Sequence, residues 1–204
     1  MLRCAYAQGT SALRSHLDSI PPQTAISFGV FRETRADRAG QIDLQAACLL
    51  GIENVPDAAG FNQTADVVAA SGGVLGVVSY PVPRLVELLT TFFDAADARG
   101  LEVDFHVDET LDPSSNTLRV IAEMVLARGF KRPVIVGHLC SLSAMPEAEA
   151  LATLDLVAKA GINVVSLPAD RAGLFPARQP LHESRAGAGG ADGRPARDGR
   201  VRNF

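Results

Sequence analysis

Short apolar runs recur along the chain at a regular interval, and each follows a glycine. Gly40, Gly73, Gly100, Gly129 and Gly161 precede runs at 42–48, 74–79, 101–107, 133–137 and 162–167. The runs are short and rich in Val, Ile and Leu, which predicts buried strands. A glycine just ahead of each predicts the cap that closes a preceding helix. Between the runs, Leu85, Leu88, Leu89, Phe92, Phe93 and Ala96 repeat at helical spacing and predict a helix over 84–99. Leu118, Ile121, Met124 and Val125 predict a second over 115–128, with Asp112-Pro113-Ser114 as its start signal. Leu151, Leu154, Val157 and Ala158 predict a third over 147–160 behind Pro146, and 64–70 reads as a shorter one. Residues 21–40 contain Pro21 and Pro22 and show little periodicity, so a helix there stays open.

Strand and helix alternating every thirty residues or so predict βα units and a parallel sheet. With 13–18 as an earlier strand, about six such units are expected. A closed (β/α)8 barrel takes eight strands and about 250 residues, and the chain has 204. Either the sheet is open and doubly wound, or the chain is an incomplete TIM-type barrel. The expected ordered region is 1–175. Residues 176–204 have neither period and little apolar content, which predicts a disordered or aberrant Gly/Arg/Ala-rich tail. An out-of-frame translation of a GC-rich gene would give such an end.

Composition narrows the classes. Hydrophobic residues make up 47% and charged residues 21%, ordinary for a soluble domain, while aromatics at 5% predict an aliphatic core. A net charge of −4 argues against nucleic acid or an anionic membrane as partner. Cys4, Cys48 and Cys140 are too few for a disulfide framework and suit a reducing cytoplasm. The start of the chain has no apolar run of a signal peptide, and nothing approaches a membrane span.

Polar residues gather where the apolar runs end. One run closes on His106-Val107-Asp108-Glu109, another on Gly137-His138, and the first on His16-Leu17-Asp18. In a parallel barrel these ends form the active-site face. Alternate strand residues share a face, so His106 and Asp108 are expected to point the same way, with Glu109 turned over the opening. An imidazole suits zinc or iron, and a nearby carboxylate can move protons to and from a water. The plainer reading is a set of capped or solvated polar residues. Gly72-Gly73 precedes a strand and reads as a turn rather than a phosphate loop.

HVDET at 106–110, DPSSNTLRVIAEMVLARGF at 112–130 and VGHLCSLSAMPEAEALATLDLVAKAGINVVSLP at 136–168 resemble cytosine deaminase and its amidohydrolase relatives. GTSALRSHLD at 9–18 and GQIDLQ at 40–45 are also similar. The resemblance implies a (β/α)8 barrel with one divalent metal, iron or zinc, in its mouth. It implies that His106 is a metal ligand, Glu109 the proton shuttle, and His138 the group that stabilises the attacking water. The implied reaction is hydrolysis of a C–N bond in a cyclic amidine or pyrimidine-like small molecule. His16 and Asp18 fall near the mouth without an assigned role.

The chain departs from that family at several points. It has no His-x-His pair, and the family's last metal-ligating Asp would follow a strand beyond the seventh. Cys48-Leu49-Leu50-Gly51 stands where the family carries a pyrimidine-binding Gln. A single His ligand is too few for a catalytic site, which takes three protein ligands. The chain is therefore expected to be inactive or nearly so. The alternatives are a non-catalytic barrel fragment and an open α/β protein that binds a small ligand. An oligomer is compatible with the sequence.

Overall fold

The computed structural model describes residues 1–56 and 58–165. The boundary expected at 175/176, the tail beyond it with His182, and the end of the 162–167 run lie outside the described residues. A short helix α1 (Leu2–Ala7), not expected from the sequence, leads into strand β1 (Ala12–Asp18). Then follow α2 (Gln23–Asp37), β2 (Asp43–Leu49), α3 (Ala58–Ala70), β3 (Leu75–Ser79), α4 (Leu85–Arg99), β4 (Val103–Val107), α5 (Thr117–Arg128), β5 (Val134–His138), α6 (Glu147–Lys159) and β6 (Asn163–Val165).

Every paired strand is parallel. β1 pairs with β2, and β3 to β6 form a four-stranded sheet in sequence order. Parallel bridges Ala47–Val74 and Gly51–Val78 join the two groups. An order that never reverses is the winding of a barrel; a doubly wound sheet has a switch point. The sheet also curls. Arg14 on β1 donates to Asp104 on β4 at 3.0 Å, which brings the first and fourth strands face to face. The incomplete-barrel expectation therefore holds over the described residues.

Helix ends follow the expected device. Gly100 caps α4 at φ 63° and Gly129 caps α5 at φ 60°, a conformation costly for side chains other than glycine. The next amides, Leu101 and Phe130, bond back to Ala96 and Val125 and turn the chain into the following strand. α2 is a full 15-residue helix despite its weak pattern. Its apolar residues lie on two faces: Phe28 and Phe31 are buried, whereas Ile26 and Val30 are each 58% exposed. α3 begins earlier than expected because Phe61, Ala65 and Val68 form one buried stripe.

The core is mostly aliphatic, as the composition predicts, with six Phe among its buried side chains. Nine Phe are few, but they are concentrated. Phe105 of β4 lies 5.0 Å from Phe92 and 5.7 Å from Phe93 of α4, and Phe93 lies 5.2 Å from Phe130 (ring centroids). Such ring pairs add about 0.5–1.5 kcal/mol each beyond area burial. Phe105→Ala should destabilise the chain by about 3–5 kcal/mol, the usual range for emptying a buried Phe site. Urea unfolding followed by circular dichroism checks this; a loss below about 1 kcal/mol would contradict the aromatic anchor.

Candidate active site

β4 is two-faced. Val103, Phe105 and Val107 are fully buried against the helices. Asp104 and His106 alternate with them and face the inside of the curl, where β1 presents Arg14 and His16. The His16 and His106 rings meet edge to face with centroids 4.4 Å apart. His16 Nε2 lies 3.3 Å from Asp104 Oδ1, while Arg14 holds Asp104 Oδ2 at 3.0 Å. Arg14 also donates to Gln45 Oε1 at 3.0 Å. On the other side, His138 Nε2 is 3.1 Å from His106 Nδ1, and His138 Nδ1 is 3.4 Å from Glu109 Oε1. His106, Glu109 and His138 thus come together as the sequence suggested.

Two members of the cluster were not singled out from the sequence. His16 carries no role in the sequence pattern, and Asp104 is not marked by it. The signal was present: Asp104 is two residues before His106 and so shares its face. The same alternation, applied forward, pointed wrongly to Asp108. That residue has φ 50° and turns its carboxylate away, onto the start of α5. Ser115 Oγ donates to it at 2.6 Å, the Leu118 amide at 2.9 Å and the Thr117 amide at 3.2 Å. Asp108 therefore caps α5. Asp112, expected to start that helix, instead accepts from the Ser114 amide at 2.9 Å within the loop. The helix begins at Thr117, later than the expected 115.

The strand ends are conformationally unusual. Asp108, His138 and Leu139 all take positive φ without being glycine. Such backbone is held only by its surroundings and gathers at functional sites. The Leu139 amide donates to Val107 O at 3.1 Å and the Ser141 amide to Asp108 O at 3.2 Å, which tie the end of β5 to the end of β4. Glu109, 48% exposed, is left leaning over the cluster.

Electrostatics favour neutral imidazole at the centre. Burial pushes the His106 pKa down to about 4, and the neighbouring His16 and His138 add to this against a smaller opposing pull from Asp104. Asp104 feels burial most, which raises its pKa. The hydrogen bonds and charges of His16 and Arg14 outweigh that and hold it below the usual carboxylate range. Neutral imidazole nitrogens and an ionised carboxylate are ligand forms for a hard or borderline divalent cation.

One donor atom each from His16, Asp104 and His106 lies within 4.8 Å of the others. Tetrahedral zinc with bonds near 2.1 Å needs donors about 3.4 Å apart, so small side-chain movements would close the set. Arg14 holds Oδ2 of Asp104, and Oδ1 faces His16 Nε2, so a bound cation would replace that contact. A separate cavity of about 350 Å³ lies at the ends of β1 and β2, and none of the cluster residues lines it.

No family profile matches the chain. A pterin deaminase of Rhizobium rhizogenes is 48% identical over 167 residues, covering 82% of this chain and 38% of that protein. The fold superposes on 5-methylcytosine deaminase of Klebsiella pneumoniae, liganded with 5-fluorocytosine, with a TM-score of 0.73 and 26% identity, covering 83% of this chain and 41% of that one. N-isopropylammelide isopropylaminohydrolase of Burkholderia multivorans shares the fold with a TM-score of 0.65 and 23% identity, covering 81% of this chain and 43% of its own. The chain spans about two fifths of the length of these relatives.

The lowered His106 pKa sets a pH dependence. Between pH 6.5 and about 4 the unfolded chain binds a proton at this residue that the folded chain does not. Stability therefore rises with pH across that window and falls as pH drops through it. The His106 ring should titrate near pH 4 by NMR, and His106→Gln should flatten the fall of the urea midpoint from pH 6.5 to 4. A His106 midpoint at 6.5 would overturn the assignment. Separately, Asp108→Ala should cost about 2 kcal/mol or more by leaving buried amides at the α5 terminus without their acceptor.

Proposed function

We propose that this chain, related by sequence and by fold to the deaminase-type amidohydrolases, carries part of a barrel mouth that holds one divalent metal and hydrolyses an exocyclic C–N bond of a nitrogen heterocycle. The observation that carries the reading is the convergence of His16, Asp104 and His106, with His138 and Glu109 beside them. Ligand counting from the sequence left His106 alone. Across the curl, His16 and Asp104 supply the two donors that count lacked. Zinc and iron both suit two imidazoles and a carboxylate. The ion, when bound, supplies Lewis acidity that makes water a nucleophile at neutral pH.

The chain's own residues do the rest. Glu109 takes a proton from the attacking water and delivers it to a ring nitrogen; it then passes the second proton of that water to the exocyclic nitrogen, whose bond to carbon breaks so that ammonia leaves and the ring carbonyl forms. His138, between Glu109 and His106, orients the water and stabilises charge on the attacked carbon's oxygen. Arg14 balances the Asp104 carboxylate and fixes it. The substrate class is a cyclic amidine in a small heterocycle, with pterin favoured over cytosine by the 48% identity to a pterin deaminase. Cys4, Cys48 and Cys140 are free thiols, which suits a cytoplasmic setting. No described helix is long and apolar enough to cross a membrane. A second reading, a metal-binding segment without turnover of its own, is favoured by the 38% coverage of that relative.

The purified chain should take up about one zinc per molecule, and His16→Ala, Asp104→Ala and His106→Ala should each weaken binding by about tenfold or more. Metal titration checks this, and unchanged affinity in all three would remove the site. Ammonia release from pterin separates the two readings. Where turnover occurs, Glu109→Gln should lower it by roughly two to four decades, the usual worth of general acid–base catalysis.

A further inference from the structure

We infer that Gln45 is a positioning residue for the metal site: by holding Arg14 it keeps the Asp104 carboxylate aimed at the cation. This rests on the reading of the site given above and adds a residue that touches neither the ion nor a ligand. Arg14 of β1 and Gln45 of β2 are direct partners in the parallel register. Their side chains therefore rise at one level of the sheet, on the inside of the curl. Gln45 Oε1 accepts twice from the guanidinium, from Nε at 3.2 Å and from Nη2 at 3.0 Å. One edge of the planar fork is fixed in this way, and the remaining Nη1 donates to Asp104 Oδ2 at 3.0 Å. The grip on Oδ2 leaves Oδ1 turned toward His16, 3.3 Å from Nε2. A cation held by His16 and His106 meets that oxygen.

The guanidinium needs a hold because a second acid stands within reach. Glu102 Oε2 lies 3.6 Å from Arg14 Nη2. Arginine left to turn can exchange Asp104 for Glu102, and the Asp104 carboxylate, with a side chain only 5% exposed, would then lose its balancing charge. With Gln45 on both Nε and Nη2, the fork cannot swing without giving up two bonds. A lysine at position 14 has no such fork and could not serve Gln45 and Asp104 in one fixed geometry. Gln45 itself is exposed and is no part of the hydrophobic core. Among the described residues its side chain bonds to Arg14 alone, so its removal leaves the packing of the fold intact.

The test is zinc titration of the full chain by calorimetry, with circular dichroism as the check on folding. Gln45→Leu keeps the bulk and removes the acceptor. It should weaken zinc binding by about three- to tenfold, less than the direct partner of a ligand contributes because Gln45 stands one contact further out. The spectrum should not change. Gln45→Glu keeps an acceptor for both N–H groups and should bind zinc at least as tightly as the unaltered chain. In an Asp104→Ala background, Gln45→Leu should cost nothing further, because its effect passes through that carboxylate. A loss of equal size in both backgrounds would mark a merely structural role and overturn the inference. So would equal zinc affinity in Gln45→Leu and the unaltered chain, or a Gln45→Glu chain as weak as Gln45→Leu; in each case the metal reading stands by itself. An unaltered chain that takes up no zinc sinks that reading and this inference with it.

Discussion

The buried side of β4 decides what its open side can do. Phe105 is locked among Phe92 and Phe93, with Val103 and Val107 fully buried on either side of it. Side chains alternate strictly along a strand, so a slip of one residue would put Phe105 into the mouth and His106 into the helix layer. The slip would expose a large aromatic ring and bury an imidazole and the Asp104 carboxylate without their partners. Each of those is a cost of kilocalories. Core packing thus sets the aim of the candidate site residues.

Opposite charges then hold the two sides of the curl together. Arg14 and Asp104 pair at 3.0 Å with side-chain exposures of 20% and 5%, so the pair is far less screened than a surface bridge. It matters for geometry more than for net stability, since burying both ions offsets much of their attraction. The pair presents one carboxylate oxygen toward His16 and His106 and keeps the local charge near balance. His106 stays neutral for the same reason that the mouth is partly dry: burial is the largest influence on it.

The open edges frame the relation to longer proteins. β1 has no partner on its outer side among the described residues, and Val164 and Val165 of β6 are 45% and 48% exposed. Parallel sheets are ordinarily covered and continued on both sides, and the relatives are more than twice as long as the matched region. The residues discussed here all project from β1 through β5, so the cluster is assembled within the described part.

Local pattern determined the strands, the three central helices and the glycine caps, because each depends on neighbours within a few residues. It also placed His106, Glu109 and His138 at strand ends facing one mouth. Three things waited for the tertiary structure. The weak pattern of α2 became a helix only once its Phe28 and Phe31 face had a core to pack into, its Ile26 and Val30 face being left exposed. Asp108 was drawn from the mouth by the unbonded amides of α5, a contest that periodicity does not express. The pairing of His16 with Asp104 and His106 depends on how far the sheet curls. That curl is the sum of strand twist and helix packing over 88 residues of separation, and no local rule in the chain carries it.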